Sequence, residues 1–258
     1  MWMLRGRDAS KVAIGLALAA SGWAANSVMV VDRGLPQANL NNVSGVARSN
    51  VRWASGDSAF VGDTFAVGVP GERWVIDEIR TWTVPGLKEE DPNHLGDFYQ
   101  DVRLYFGTAG ADITPAVSAA LSAGSDETGN ANVRITNATA AGTPLYDDFG
   151  RFIRVWQVDF TNLSLPVEGG AQYSFGVWGQ GRPIAPGSEK NYMWFNHASN
   201  AALSSATEDL ADGVMLMFDG TGRAAGEFNA QGHGWDKSSD INVQVFAHKV
   251  SESASVAH

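Results

Sequence analysis

Hydrophobic and polar side chains alternate every second residue through much of this 258-residue chain. That is the period of a half-buried β-strand and not of a helix. The rhythm is plainest in "RFIRVWQVDF", where Phe152, Arg154, Trp156, Val158 and Phe160 share one face and Ile153, Val155, Gln157 and Asp159 the other. "AQYSFGVW" sends Tyr173, Phe175 and Val177 one way, and "INVQVFAH" sets Ile241, Val243, Val245 and Ala247 against Asn242, Gln244, Phe246 and His248. Strands are predicted over Val28–Asp32, Val51–Ala54, Asp63–Gly68, Arg73–Val84, Asp101–Gly107, Asn132–Thr136, Phe152–Phe160, Ala171–Trp178, Tyr192–Asn196, Val214–Asp219 and Ile241–His248. Turn clusters such as "VPGE", "GSDETGN" and "DGTG" separate them. Strict alternation through "RWVIDEIRTWTV" would put Glu78 and Arg80 on the face of Trp74, Ile76 and Trp82. An extra residue near Asp77–Glu78, a β-bulge, would turn Ile79 inward.

About eleven short strands without a βαβ rhythm predict an all-β chain, a single β-sandwich of jelly-roll type. Only residues 112–124 ("DITPAVSAALSAG") and 200–211 ("NAALSSATEDLA") suggest helical turns. No internal repeat or linker interrupts the pattern. The first residues read differently. Arg5, Arg7 and Lys11 precede the apolar run "VAIGLALAASGWA", and Gly22 and Ala24 offer small side chains before a cleavage point. This is the pattern of a secretory signal over 1–24. The apolar run is shorter than the ~20 residues that span a bilayer as a helix. A sandwich domain over 25–250 and a tail over 251–258 follow, and no later stretch is apolar enough to be a transmembrane segment. The chain is therefore expected outside the cytoplasm: secreted, periplasmic or at the cell surface.

Composition narrows the function. The chain carries 18 Lys+Arg against 28 Asp+Glu, a net charge of −10. That sign repels phosphate backbones and argues against nucleic acid as a partner. Cysteine is absent, so no disulfide, zinc-thiolate site or thiol nucleophile can form. Stability must come from the core, for which 44% hydrophobic and 10% aromatic residues are available.

The blocks "VDRGLPQANLNN", "WVIDEIRTWTVPG", "VWQVDFTNL", "WFNHASNAAL" and "GWDKSSDINVQVF" resemble a family of uncharacterised secreted bacterial β-sandwich proteins. The resemblance covers Val30 to His248 and implies export and one all-β domain. It implies no activity, substrate or catalytic residue. More distantly, the strand pattern is similar to the jelly rolls of carbohydrate-binding modules and polysaccharide lyases, an analogy of fold alone.

Candidate chemistry concentrates in two loops. In "GHGWDKSSD", His233 lies between glycines and is followed by Trp235 and Asp236; in "YMWFNHASN", Trp194 precedes Asn196 and His197. An indole can stack on a sugar ring while the polar groups take its hydroxyls. These six residues form the candidate ligand-binding set, with an extracellular glycan as the expected ligand. Against this stands an architectural role in which Trp235 packs under the sandwich rim and Asp236 caps a turn. His94, His197 and His233 could converge on a transition metal, but no local HxH or HExxH spacing supports it. Glu89, Glu90, Asp91, Asp97, Asp101, Asp126, Glu127, Asp147 and Asp148 supply hard oxygens for a structural Ca²⁺, without the spacing of a recognised calcium loop. Three functions follow: a non-catalytic carbohydrate-binding module; a structural or matrix protein that self-associates through strand edges; and an exported polysaccharide hydrolase or lyase using His197, His233 and Asp236. No GxSxG or phosphate loop adds a fourth.

Overall fold

The computed structural model describes residues 27–34, 48–51, 59–84, 94–138, 145–146, 152–200, 214–229 and 239–251. The predicted signal segment, the second helical segment beyond Asn200 and the loop carrying His233, Trp235 and Asp236 lie outside them. Among the described residues the regular elements are strands, with a single turn of 3₁₀ helix at Leu95–Asp97. In chain order the strands are β1 (Val28–Asp32), β2 (Arg48–Val51), β3 (Ala59–Ala66), β4 (Arg73–Thr83), β5 (Asp101–Thr108) and β6 (Thr114–Ala120). Then come β7 (Val133–Asn137), β8 (Leu145–Tyr146), β9 (Phe152–Ile153), β10 (Trp156–Phe160), β11 (Leu165–Glu168) and β12 (Gln172–Trp178). The last are β13 (Asn196–Asn200), β14 (Val214–Asp219), β15 (Ala224–Asn229), β16 (Ser239–Ile241) and β17 (Val243–Lys249).

Two antiparallel sheets make a β-sandwich. One has nine strands, with the path β1-β17-β4-β10-β7 and with β2, β11, β13 and β16 attached; the other runs β15-β14-β3-β12-β5-β6. β8 and β9 form a separate two-stranded ribbon. Alternation explains the packing. Ile79 and Thr81 on β4 stand opposite Phe160 and Val158 on β10 and Val245 and Val243 on β17, and all six are buried. From the other sheet Val61, Phe65, Leu104, Phe175 and Val177 join the same core.

The bulge expected near Asp77–Glu78 is present. Phe246 pairs with Glu78 and Ala247 with Ile76, so Asp77 is the extra residue and both Ile76 and Ile79 turn inward. The far edge of β4 shows the same break, since β10 pairs with Ile79–Thr83 and β11 with Arg73–Ile76. Leu163 N–H donates to Asp77 O across that gap (3.1 Å). Beyond the bulge the reversed parity puts Glu78, Arg80 and Trp82 on the outer face. There Asp159 accepts from Arg80 (2.6 Å) and Arg134 (2.7 Å), and Trp82, Val84, Val155 and Phe195 form a second, smaller cluster.

The expectations need correction in places. The strand predicted over Phe152–Phe160 divides into β9 of the separate ribbon and β10 of the nine-stranded sheet. Residues 114–120 form strand β6 and not helical turns: pairing with β5 along the sheet edge overrides the helical preference of their alanines. Strand β13 begins at Asn196 and not at Tyr192, because Tyr192 N–H is taken by Arg182 O (2.9 Å) in a loop. The chain also has more strands than the alternation marked. β6, β11 and β15 carry alanine, proline or glycine where a β-branched residue would have announced a strand.

Candidate functional site

The "YMWFNHASN" loop enters the sandwich where β4 ends. Val84 N–H donates to Phe195 O (3.0 Å) and Thr83 Oγ1 donates to the same carbonyl (2.7 Å), fixing the entry to β13. The three candidates then meet different partners. Asn196 stands opposite Thr83 and faces the core, where its Nδ2 donates to Val61 O of the other sheet (3.4 Å). Trp194 Nε1 donates to Asn196 Oδ1 (3.0 Å). The Trp194 ring lies against Tyr99 (centroids 4.7 Å apart) and so close over Gly179 that an added Cβ would sit 2.6 Å from a ring carbon. Exposure is 1% for Trp194, 3% for Asn196 and 0% for His197. The indole faces are occupied by protein, so the ring is a packing element between the sheets.

His197, also buried, follows a shift in register after Asn196 and meets Asn242, the residue between β16 and β17. Asn242 N–H donates to His197 O (2.9 Å), and the Nδ1 of His197 lies 2.5 Å from Asn242 Oδ1. Asn242 Nδ2 donates to Arg33 O (2.9 Å) and Gly34 O (3.1 Å), which leaves its Oδ1 as the acceptor. His197 therefore carries its proton on Nδ1, assigned from this network, and turns a bare Nε2 lone pair into the interior, where it has no hydrogen-bond partner. Burial disfavours the imidazolium and holds its pKa at about 4, and the bond to Asn242 opposes this only in part. The result is an oriented neutral imidazole, chemically able to accept a proton or ligate a cation, but closed to solvent.

The same network continues into a buried ion pair. Arg33 Nη1 donates to Asp63 Oδ2 (2.7 Å), both side chains being fully buried, and Arg33 Nη2 donates to Thr64 O (2.6 Å). Asp63 also accepts from Ile241 N–H (3.0 Å) and Thr64 N–H (2.7 Å). One set of polar groups thus ties β1, β3, β13, β16 and β17 together across both sheets. Arg33, Asp63 and Asn242 belong to this network without standing among the sequence-derived candidates. The available signal was charge inside apolar alternation: Arg33 directly after "VMVVD" and Asp63 between Phe60 and Phe65.

The remaining candidates separate into other clusters. His94 Nδ1 lies 3.5 Å from Asp126, whose carboxylate also accepts from Leu95 N–H and from Trp156 Nε1 (3.1 Å). Asp97 accepts from Gly124 N–H (2.6 Å) and Asp101 from Gln180 N–H (3.0 Å). These acidic side chains stitch loops to one another. His248 pairs with Asp77 at the bulge (2.9 Å). Among the described residues no three His, Asp or Glu side chains are placed to hold a metal ion. His233, Trp235 and Asp236 fall in the undescribed segment just before β16, as do Glu89, Glu90, Asp91, Asp147 and Asp148 in theirs.

The fold and the buried network define a disulfide-free antiparallel β-sandwich whose two sheets are joined by the buried Arg33–Asp63 ion pair. Comparison with known proteins adds no relative: no protein-family model, no curated protein and no solved structure matches the chain.

Proposed function

We propose that this protein is an exported, non-catalytic β-sandwich module with a structural role, self-associating through a sheet edge. The observation that carries the reading is a contrast between edges. β6, an edge of the six-stranded sheet, is guarded. It contains Pro115, and Ser118 O is capped by Asn130 Nδ2 (2.9 Å), both devices that discourage a further strand. β1, at the edge of the nine-stranded sheet, reads Val-Met-Val-Val with neither proline nor charge before Asp32. Its one irregularity is the shift at Val30, and Val28 and Met29 are 53% and 46% exposed. An apolar edge of this kind is a template for another strand.

The described part of the glycan-binding set supports the same reading, since Trp194, Asn196 and His197 are engaged inside the fold. The test is sedimentation velocity of the purified chain over a range of concentrations, beside the Met29→Lys variant. Association that grows with concentration and weakens in the variant is expected. A chain monomeric throughout but retained on a polysaccharide matrix would replace this reading with the glycan-binding one.

A further inference from the structure

Sulfur enters this chain through methionine alone. Cysteine is absent, and of the six methionines Met1 and Met3 fall in the predicted signal segment. Met215 is fully buried, and Met217 is half-buried against the core. Met29 and Met193 are the open ones among the described residues, at 46% and 36% exposure. Their settings differ. Met193 sits in the loop before β13, where its carbonyl accepts from Tyr99 OH (2.7 Å). Met29 stands on β1, opposite Phe246 of β17, at the edge through which association was proposed. Its neighbours Val28, Val30 and Val31 have purely hydrocarbon side chains. The response of that edge to an oxidant therefore falls on one thioether.

We propose that Met29 is an oxidation site that controls contact at the β1 edge. Such control presupposes the self-association proposed above and adds its regulation. The co-reactant is hydrogen peroxide. A lone pair on the Met29 sulfur attacks one peroxide oxygen, so that an S–O bond forms and the O–O bond breaks. Sulfur loses two electrons, the peroxide gains them, and the products are methionine sulfoxide and water. The sulfoxide is polar where the thioether was apolar, and its oxygen needs a hydrogen-bond donor once water is excluded. The cation on this side of the sheet is already engaged. The Arg80 guanidinium lies over the Phe246 ring (5.2 Å to its centroid), and its Nε, Nη1 and Nη2 donate to Asp159, Gln244 and Glu78. A strand laid along β1 would thus cover a polar group with nothing to satisfy it, and association should weaken by about tenfold. The coupling is reciprocal: a paired edge shields the sulfur from peroxide just as an oxidised sulfur opposes pairing.

Reciprocity supplies the test. The full chain is exposed to a fixed dose of hydrogen peroxide at low and at high chain concentration, and each methionine is followed by peptide mapping. Oxidation of Met29 should slow as concentration rises, while that of Met193 stays constant and serves as the internal reference. Sedimentation velocity should show the associated fraction falling after treatment and returning after methionine sulfoxide reductase with a thiol reductant. Met193→Leu should respond to peroxide as the parent chain does. In Met29→Leu the associated fraction, whatever its starting value, should no longer change on treatment. An associating chain in which Met29 and Met193 oxidise in the same ratio at every concentration would overturn control by Met29 and leave association standing through another surface. A Met29→Leu chain that still dissociates on treatment would do the same. A chain monomeric at every concentration before treatment would overturn both.

Discussion

His197 shows how one side chain can set the pH response of a fold. Its Nδ1 is committed to Asn242, its Nε2 is buried and unpartnered, and burial holds its pKa at about 4, below the ordinary 6.5. Above pH 6.5 the group is neutral whether folded or unfolded and adds no pH dependence. Between pH 6.5 and 4 the unfolded chain binds a proton that the folded one refuses, so stability falls as pH falls, by up to about 3 kcal/mol, and levels off below the folded value. Urea titrations at intervals across this window should show the midpoint dropping on acidification, with a flatter profile in His197→Gln. Arg33 and Asp63 make a second residue-scale case. Arg33→Met removes the guanidinium that donates to the buried Asp63 and should lower stability by about 3–5 kcal/mol in the same denaturation assay. Trp194→Ala, emptying an interior site, should cost a comparable ~3–5 kcal/mol. A loss of ligand retention without a change in melting temperature would instead restore the ring to a binding role.

At the scale of elements, backbone proximity does work that side chains cannot. Gly62 on β3 and Gly176 on β12 are direct cross-strand partners, and the rings of Phe218 and Phe60 lie in the space their missing side chains leave. Phe60 in turn packs against Tyr105, Trp178 and Phe218 (centroids 4.5, 6.0 and 5.5 Å away). A Cβ at Gly62 would come within 2.7 Å of the Phe218 ring and overlap the Phe175 carbonyl. Gly62→Ala should therefore lower the denaturation midpoint, corresponding to about 1–3 kcal/mol of overpacking. Much at this scale was legible beforehand. Val28–Asp32 and Val214–Asp219 were readable to the residue, because β-branched or bulky side chains fill the inward positions and turn residues follow. The Asp77 bulge was readable from the parity conflict it resolves. β6 was not, since "TPAVSAA" has no strand signal of its own and owes its conformation to β5. The site was half legible for a related reason. Trp194, Asn196 and His197 were recognisable as unusual neighbours, but their burial depends on Val61, Gly179 and Asn242, distant in sequence and joined only by the topology.

For the whole molecule, two sheets of different size share one core, and the edges differ in protection. The chain's net charge of −10 opposes contact between copies over a Debye length of about 10 Å at 0.1 M salt, whereas burial of Val28 and Met29 favours it. Raising ionic strength should accordingly increase the associated fraction seen by light scattering. A charge-driven contact between unlike patches would weaken under the same change. The juxtaposition of β1 with β17 has another consequence. Val28 stands opposite Ala247, so the outer ends of the first and last strands are side by side, and a short peptide could join them. New termini could then be opened at an exposed turn such as Gly187, where an added Cβ would meet nothing within 4 Å. Such a circular permutant should keep the sandwich, as judged by its circular dichroism.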